Sequence, residues 1–365
     1  MPDTPARMPD IALLGDLGST FVSIARDEAI DILKRFYGLT ASVARLETEK
    51  DDTFRVTPAC GDSLILKIAN PAEDPAEIEA QAALLTFLER TAPHLPTPRV
   101  MAGREGAAIV TFQDRAGQTR RARVMTYLPG QPLDRLDAGA VLRRDVGRML
   151  GRLRLAMAAF DHPGCHRVLA WDVRHVTKLA PLLDHVHDQR RREALAEAMR
   201  RLTGLSQRIA GLRRQVVHND FNRSNLIIRD DGGPRLGGII DFGDIVHTAI
   251  AIDVSTAVVN QLPRTLDGAF RDDLFRDARD VVRGYLAAAD LDDEELRLIP
   301  HLAMARIVVR SLISLYRAAL LPHNARYILR NTEPGWAQLD WLLKRDPDRM
   351  SARFLSDLRH RGPST

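Results

Sequence analysis

The chain has 365 residues, 45% of them hydrophobic and 27% charged, with a formal net charge of +4. That is enough material for two lobes or one large unit with appendages, and it excludes a globally disordered chain. The small positive excess is dispersed, and runs such as Arg190, Arg191 and Arg192 sit among Glu and Asp as a solvated helix face, so no nucleic-acid partner is expected.

In chain order, residues 1–19 hold several prolines and read as a loose tail, with no apolar stretch of the signal-peptide kind. Apolar residues at helical spacing predict a helix from Thr20 to Tyr37, stopped by Gly38. Strand-like runs follow at Ser42 to Leu46, Thr53 to Thr57 and Ser63 to Ile68, the last two joined by the turn-rich Pro58-Ala59-Cys60-Gly61-Asp62. A helix is predicted over Pro75 to Arg90, with Ile78, Ala82, Leu85 and Leu88 on one face. Two more strands, Ala107 to Gln113 and Arg121 to Tyr127, flank the turn at Asp114 to Gly117. Leu128-Pro129-Gly130-Gln131-Pro132 then breaks the pattern. From Asp137 onward the periodicity is helical, except for a β-rich stretch from Gln215 to Phe242 with a Gly232-Gly233 hairpin. His301 to Leu321 carries Arg306, Arg310 and Arg317 and reads as a buried amphipathic helix, so no membrane span is expected. Cys60 and Cys165 belong to no CxxC or Cys/His cluster; this argues against zinc and suits the reducing cytoplasm where the chain is expected.

Chemistry concentrates in Val216-Val217-His218-Asn219-Asp220-Phe221-Asn222-Arg223-Ser224-Asn225-Leu226-Ile227-Ile228, a polar loop between apolar strands. Sixteen residues past Asn225, the apolar Ile239-Ile240 runs into Asp241-Phe242-Gly243-Asp244. Phosphoryl transfer requires a group that accepts the hydroxyl proton and ligands for the metal that neutralises phosphate charge. Asp220 suits the first role. Asn225 and Asp241 supply one neutral and one charged oxygen, a set that suits Mg²⁺ with phosphates and water completing the shell. Taken alone, His218-Asn219-Asp220 is also compatible with a turn of self-bonded side chains; the ordered pair of motifs is what points to catalysis.

This H-x-D-x-x-x-x-N followed by D-F-G resembles the aminoglycoside phosphotransferase superfamily, with choline and homoserine kinases among its relatives, over roughly residues 20–340. Within it, Phe36-Tyr37-Gly38-Leu39, Leu46-Glu47-Thr48-Glu49-Lys50-Asp51-Asp52-Thr53-Phe54 and Met125-Thr126-Tyr127-Leu128-Pro129-Gly130 are similar to hydroxylysine-kinase-like proteins and to kinase-like domains fused to aminotransferases. The resemblance implies an α+β, bilobal, protein-kinase-like fold: an antiparallel-sheet lobe over 20–127 that binds nucleotide, and a mostly helical lobe over 128–365 that carries catalysis and substrate. It implies a kinase using Mg²⁺ and ATP or GTP on a hydroxyl of a small amino-bearing molecule such as hydroxylysine, with an aminotransferase or lyase as a possible functional partner.

It further implies that Lys67, in the apolar Leu64-Ile65-Leu66-Lys67-Ile68, meets the phosphates and a helix glutamate, Glu79 first and Glu77 second. The Thr126 carbonyl and Leu128 amide would meet the purine edge, with Met125 beside the base. His218 and Asp253 read as structural, Asp253 bracing the catalytic loop. Asp244, Arg306 and Arg310 are substrate candidates; the two arginines share a helix face, and Arg forks match carboxylates. Two departures stand out: the loop Glu49 to Thr53 has no glycine over the phosphates, and no activation segment follows Asp244. Both argue against a protein substrate. An antibiotic kinase, a choline, ethanolamine or homoserine kinase, and a catalytically silent pseudokinase remain alternatives. The first is disfavoured by the absence of any acid from His301 to Leu321, the last by the intact Lys67, Asp220, Asn225 and Asp241.

Overall fold

The computed structural model describes residues 21–48, 50–321 and 325–359. The expected tail at 1–19, Thr20 and the loop residue Glu49 lie outside the described residues. Helix α1 spans Arg26–Ile32, tightens into a π-helical turn at Leu33–Tyr37, and ends at Gly38, whose φ of 70° is the left-handed stop expected of it. It starts later than the spacing predicts. Ile24 is buried instead in an extended segment, where its amide donates to Asp52 Oδ2 at 3.1 Å and its carbonyl accepts from Arg45. Tertiary partners for the backbone have displaced the helix.

The small lobe is a six-stranded antiparallel sheet ordered β1-β2-β3-β6-β4, with β5 also pairing β6. Its strands are β1 (Ala41–Leu46), β2 (Asp52–Pro58), β3 (Leu64–Ile68), β4 (Val100–Met101), β5 (Val110–Gln113) and β6 (Thr119–Thr126). Two-residue β4 is too short to leave a pattern, and the strand expected from Ala107 begins only at Val110. One sheet face buries Phe54, Val56, Leu66, Ile68 and Val124 against Ile24 and Leu33. The polar counterpart of this core is Arg120, whose side chain is 0% exposed. Its guanidinium pairs with Asp52 at 2.7 Å and Asp114 at 3.3 Å and donates to the Ala69 and Val22 carbonyls. A buried charge survives only when paired and hydrogen-bonded in this manner.

Helix α2 (Pro75–Thr91) begins at the Asp74 cap, whose carboxylate accepts from Ala76 N at 2.9 Å, with Pro75 at the first helical position. Ala80, Leu84, Leu85 and Leu88 of α2, with Met125 at the end of β6, belong to the core of the large lobe. The helix is thus the seam between the two halves. Gly130, at φ 138°, sits where a Cβ would strike the Ile228 carbonyl, so the crossover strand β7 (Gln131–Pro132) can lie close against β9 (Leu226–Arg229).

The large lobe is built from α3 (Ala140–Met157), α4 (Gln189–Gly204), α5 (Ser206–Ala210), α6 (Ile250–Val259), α7 (Arg279–Leu286), α8 (Asp293–Leu320), α9 (Ala325–Ile328), α10 (Thr332–Leu343) and α11 (Pro347–Arg359). Two small β pairs interrupt it. β9 with β10 (Arg235–Ile239) forms the hairpin expected at Gly232-Gly233, and β8 (Arg214–Val217) pairs antiparallel with β11 (Val246–Ala249). Helices α3 and α7 cross with their backbones in contact. A Cβ at Gly147 would strike the Val281 carbonyl, and one at Gly284 the Arg144 carbonyl. Helix α8 starts in a capping box between Asp292 and Glu295 and is long and apolar enough to cross a membrane, but 89% of that apolar window is buried inside the protein. It is the spine of the large lobe.

Candidate active site

Three elements converge at the seam. β8 leads into His218-Asn219-Asp220, a 3₁₀ turn at Arg223–Asn225 leads into β9, and Asp241 follows two residues after the end of β10. Two residues here hold left-handed backbones without being glycine: Asn219 and Asp241, both at φ 61°. Asn and Asp tolerate that region best among side-chain-bearing residues, yet the cost is still on the order of 1–3 kcal/mol each, and such strain persists only where the surroundings overdetermine it.

The bracing is visible. The buried Asp253 of α6 accepts the His218 amide at 3.3 Å and the Asn219 amide at 2.8 Å. Burial pushes its carboxyl above the ordinary range, opposed by His218 and these amides. The His218 ring spans the loop, its Nδ1 facing the Asp220 amide at 3.3 Å and its Nε2 facing the Ile240 carbonyl at 3.2 Å. Those partners select the neutral tautomer protonated on Nε2. Asn222 organises the turn: its Oδ1 accepts from the Ser224 and Asn225 amides while its Nδ2 donates to Asp220 Oδ2 at 2.9 Å.

Asp220 is therefore held from several sides. Oδ2 accepts from Asn222 and from Asn225 Nδ2 at 2.8 Å, and Oδ1 accepts from Arg306 of α8 at 3.0 Å. The side chain keeps 24% of its surface open. Burial raises its pKa to about 7 against the pull of Arg306, with Asp244 and Asp241 adding to the rise. A carboxylate with a pKa near the working pH is suited to accepting a proton.

Asn225 spends its amide nitrogen on the Asp220 carboxylate and carbonyl, which turns its oxygen the other way. Asp241 leaves half of its side chain open. One amide and one carboxylate oxygen make a sparse, hard donor set that fits a divalent cation sharing phosphate oxygens, and not a dedicated all-protein cage. No cluster of three or more His, Cys, Asp or Glu able to hold a metal occurs among the described residues.

Lys67 Nζ lies 3.0 Å from Asp51 Oδ2 and 3.3 Å from Asp241 Oδ1. Burial pulls its pKa down, but Asp241 and Asp51 outweigh that and hold it raised; Lys67 in turn lowers the pKa of Asp241 against burial. The expectation that Glu79 pairs Lys67 is corrected. Glu79 is exposed on the outer face of α2 and lines a surface groove with Phe87 and His162. Glu77 does not reach Lys67 either; it pairs with Arg167, which also donates to the Gly243 carbonyl at 2.6 Å. Asp51 takes the place assigned to a helix glutamate. Strand alternation could have found it: Thr53 is in register with Lys67, so Asp51 shares that face while Asp52 turns to Arg120. Arg167 left no such signal, because its partners are distant in sequence.

Met125 and Thr126 close β6 opposite Ile65 and Leu64. Met125 is buried at the seam, Thr126 Oγ1 accepts from the Arg99 amide at 2.9 Å, and Leu128 packs beside Gly238. Asp244 ends the short turn after Asp241. Arg306 reaches the site, where its partners are Asp220 and the Trp171 carbonyl. Directly after Asp244 the chain enters β11 and pairs with β8, which leaves no room for an activation segment.

A braced, strained loop presenting one carboxylate near neutrality, an amide and a carboxylate on segments tied by the Ile240 amide to Asn225 carbonyl bond, and a paired lysine on the third strand define a phosphotransferase of the kinase-like class. Comparison with known proteins agrees. Residues 43–291 match the phosphotransferase enzyme family, and the chain belongs to it. It is 26% identical to a hydroxylysine kinase of Danio rerio over 350 residues, 91% of this chain and 95% of that protein. It is 22% identical to the hydroxylysine kinase of Mus musculus, covering 86% and 88% of the two chains. Among solved structures it is similar to an amicoumacin kinase, in complex with AMP-PNP, Ca²⁺ and Ami, at TM-score 0.64 and 18% identity, covering 85% of this chain and 95% of that one. It is also similar to a choline/ethanolamine kinase family protein from Mesorhizobium loti at TM-score 0.58 and 16% identity, covering 91% and 98%. The fold is the expected α+β bilobal kinase-like one, and the enzyme is a small-molecule kinase acting on an alcohol group with a nucleotide co-substrate.

Proposed function

We propose that this kinase phosphorylates the side-chain hydroxyl of a hydroxylated amino acid of the hydroxylysine type. The observation that carries the reading is Asp220: a carboxylate poised near neutrality and fixed by Asn222, Asn225 and Arg306. The near-complete coverage of both hydroxylysine kinases supports the acceptor class.

The acceptor hydroxyl hydrogen-bonds to Asp220. As its oxygen bonds to the γ-phosphorus, the proton passes to the carboxylate and the bond to the β-phosphate oxygen breaks, releasing nucleoside diphosphate. Asn225 and Asp241 would hold Mg²⁺, which when bound neutralises the phosphate oxygens. Lys67 turns from its carboxylate partners to the triphosphate. Met125, the Thr126 carbonyl and the Leu128 amide line the purine, ATP or GTP. His218 and Asp253 hold Asp220 in place.

A coupled assay of nucleoside diphosphate release over hydroxylysine, homoserine, ethanolamine, choline and kanamycin, with ATP and with GTP, tests the acceptor. Hydroxylysine should give the highest kcat/KM. Preference for kanamycin or choline would overturn the reading.

A further inference from the structure

Arg310 stands one turn beyond Arg306 on α8, and the two have different fates. Arg306 is consumed by Asp220 and Trp171. Arg310 is partly buried, and its Nε is closed off from solvent with no hydrogen-bond partner. The charges acting on it are those of Arg306 and Arg264, both repulsive, and burial with this repulsion lowers its pKa to about 10. The fully buried arginines are each provided for: Arg120 by Asp52, Arg123 by Gln81 and Arg279 by Asp273. A partly desolvated cation with no counter-charge is costly to fold around, and an anion brought by a ligand would offset that cost.

The surroundings fit such an anion. Gly335 of α10 faces Arg310, with Nη2 only 3.2 Å from where a Cβ would stand, so any side chain there would crowd the fork. Ser311 Oγ, close to the same glycine, is a second buried polar atom without a partner. One helical turn separates Arg306 from Arg310, a rise of about 6 Å. That is comparable to the reach from the side-chain hydroxyl of a lysine-length amino acid to its carboxylate.

We propose that Arg310 receives the carboxylate of the acceptor, so that the substrate class is a hydroxy acid bearing an α-carboxylate and excludes simple amino alcohols. The inference rests on the kinase reading above and names the group that selects its substrate. Arg310 acts here as a specificity residue: its fork matches a carboxylate in two parallel hydrogen bonds, while Asp220 takes the hydroxyl at the other end.

The test compares hydroxylysine with its decarboxylated analogue, the corresponding hydroxydiamine, in the wild type and in Arg310→Met. The wild type should prefer the carboxylate on the order of 10²-fold in kcat/KM, carried mainly by KM. Arg310→Met should collapse that preference to within a few-fold and should melt no lower than the wild type, because it removes a partly buried charge with no counter-charge. A preference that survives the substitution, or a variant that melts lower because Arg310 is a structural strut, overturns the proposal. A measurement on the wild type alone guards against misfolding: lysine, which lacks the hydroxyl, should inhibit competitively, and cadaverine should not. Equal inhibition by both also overturns it. Failure of the wild type to phosphorylate any hydroxylated amino acid would remove the function reading and this inference together; turnover with a preference independent of Arg310 would remove this inference alone.

Discussion

Asp253 offers the sharpest view of how the fold sets the chemistry. Replacing it with Ala strips the His218 and Asn219 amides of their acceptor in a fully packed interior. Each orphaned buried amide costs on the order of 1–3 kcal/mol. The native carboxylate is itself penalised by burial, as its raised pKa reports, so the net destabilisation falls toward the lower end, about 2–4 kcal/mol. The loop gains a way out: Asn219 can leave its left-handed backbone at φ 61° and release strain of roughly 1–3 kcal/mol, carrying Asp220 away from its partners. Turnover should then fall at least about 10²-fold, because a displaced base loses its alignment as well as its proton affinity. Urea unfolding followed by fluorescence reads the first effect, and the coupled kinase assay reads the second. Nucleotide affinity should change far less than kcat. Wild-type stability together with wild-type kcat in Asp253→Ala would refute the bracing argument.

Other outcomes follow from the same geometry. Asp220→Asn should lower turnover about 10²- to 10⁴-fold while nucleotide still binds, the scale of a lost general base; wild-type turnover would remove Asp220 from that role. In the wild type, kcat/KM should fall as pH drops below about 7, since the raised pKa leaves Asp220 protonated there; Asp244→Asn removes a like charge and should move that acid limb to lower pH. Lys67→Ala should weaken triphosphate binding more than nucleoside binding in calorimetry, and equal losses would count against the phosphate contact. Arg120→Met leaves Asp52 and Asp114 buried without their cation and should destabilise the small lobe by about 3–5 kcal/mol in thermal unfolding. A variant that melts like the wild type would show that the buried hub is dispensable.

How much of this was legible beforehand differs from element to element. The catalytic loop and Asp241 could be read because the motif is short-range and bounded by apolar strands, so local sequence suffices. Lys67 could be read as a charge in an apolar strand, but its partner could not. That pairing depends on which carboxylate the folded sheet brings near, and it came from the loop residue Asp51 and not from α2. Glu77, the second candidate for Lys67, pairs instead with Arg167, a contact across 90 residues that no periodicity encodes. The start of α1 was misplaced because Ile24, helical by spacing, finds its backbone partners on Asp52 and Arg45. Short β4, β7 and β11 exist only through their ladders and leave no trace of their own. The shared face of Arg306 and Arg310 was read correctly, whereas the distinction between a paired and an unpaired guanidinium needed the folded site.

We propose that Asn225 and Asp241 would together hold one divalent ion for the nucleotide's phosphates. Calorimetric titration of a non-hydrolysable ATP or GTP analogue, with and without Mg²⁺, tests it in the wild type, Asn225→Ala and Asp241→Ala. Mg²⁺ should tighten binding to the wild type and do little for Asp241→Ala, with Asn225→Ala in between. The same magnesium-dependent gain in all three proteins would contradict the account.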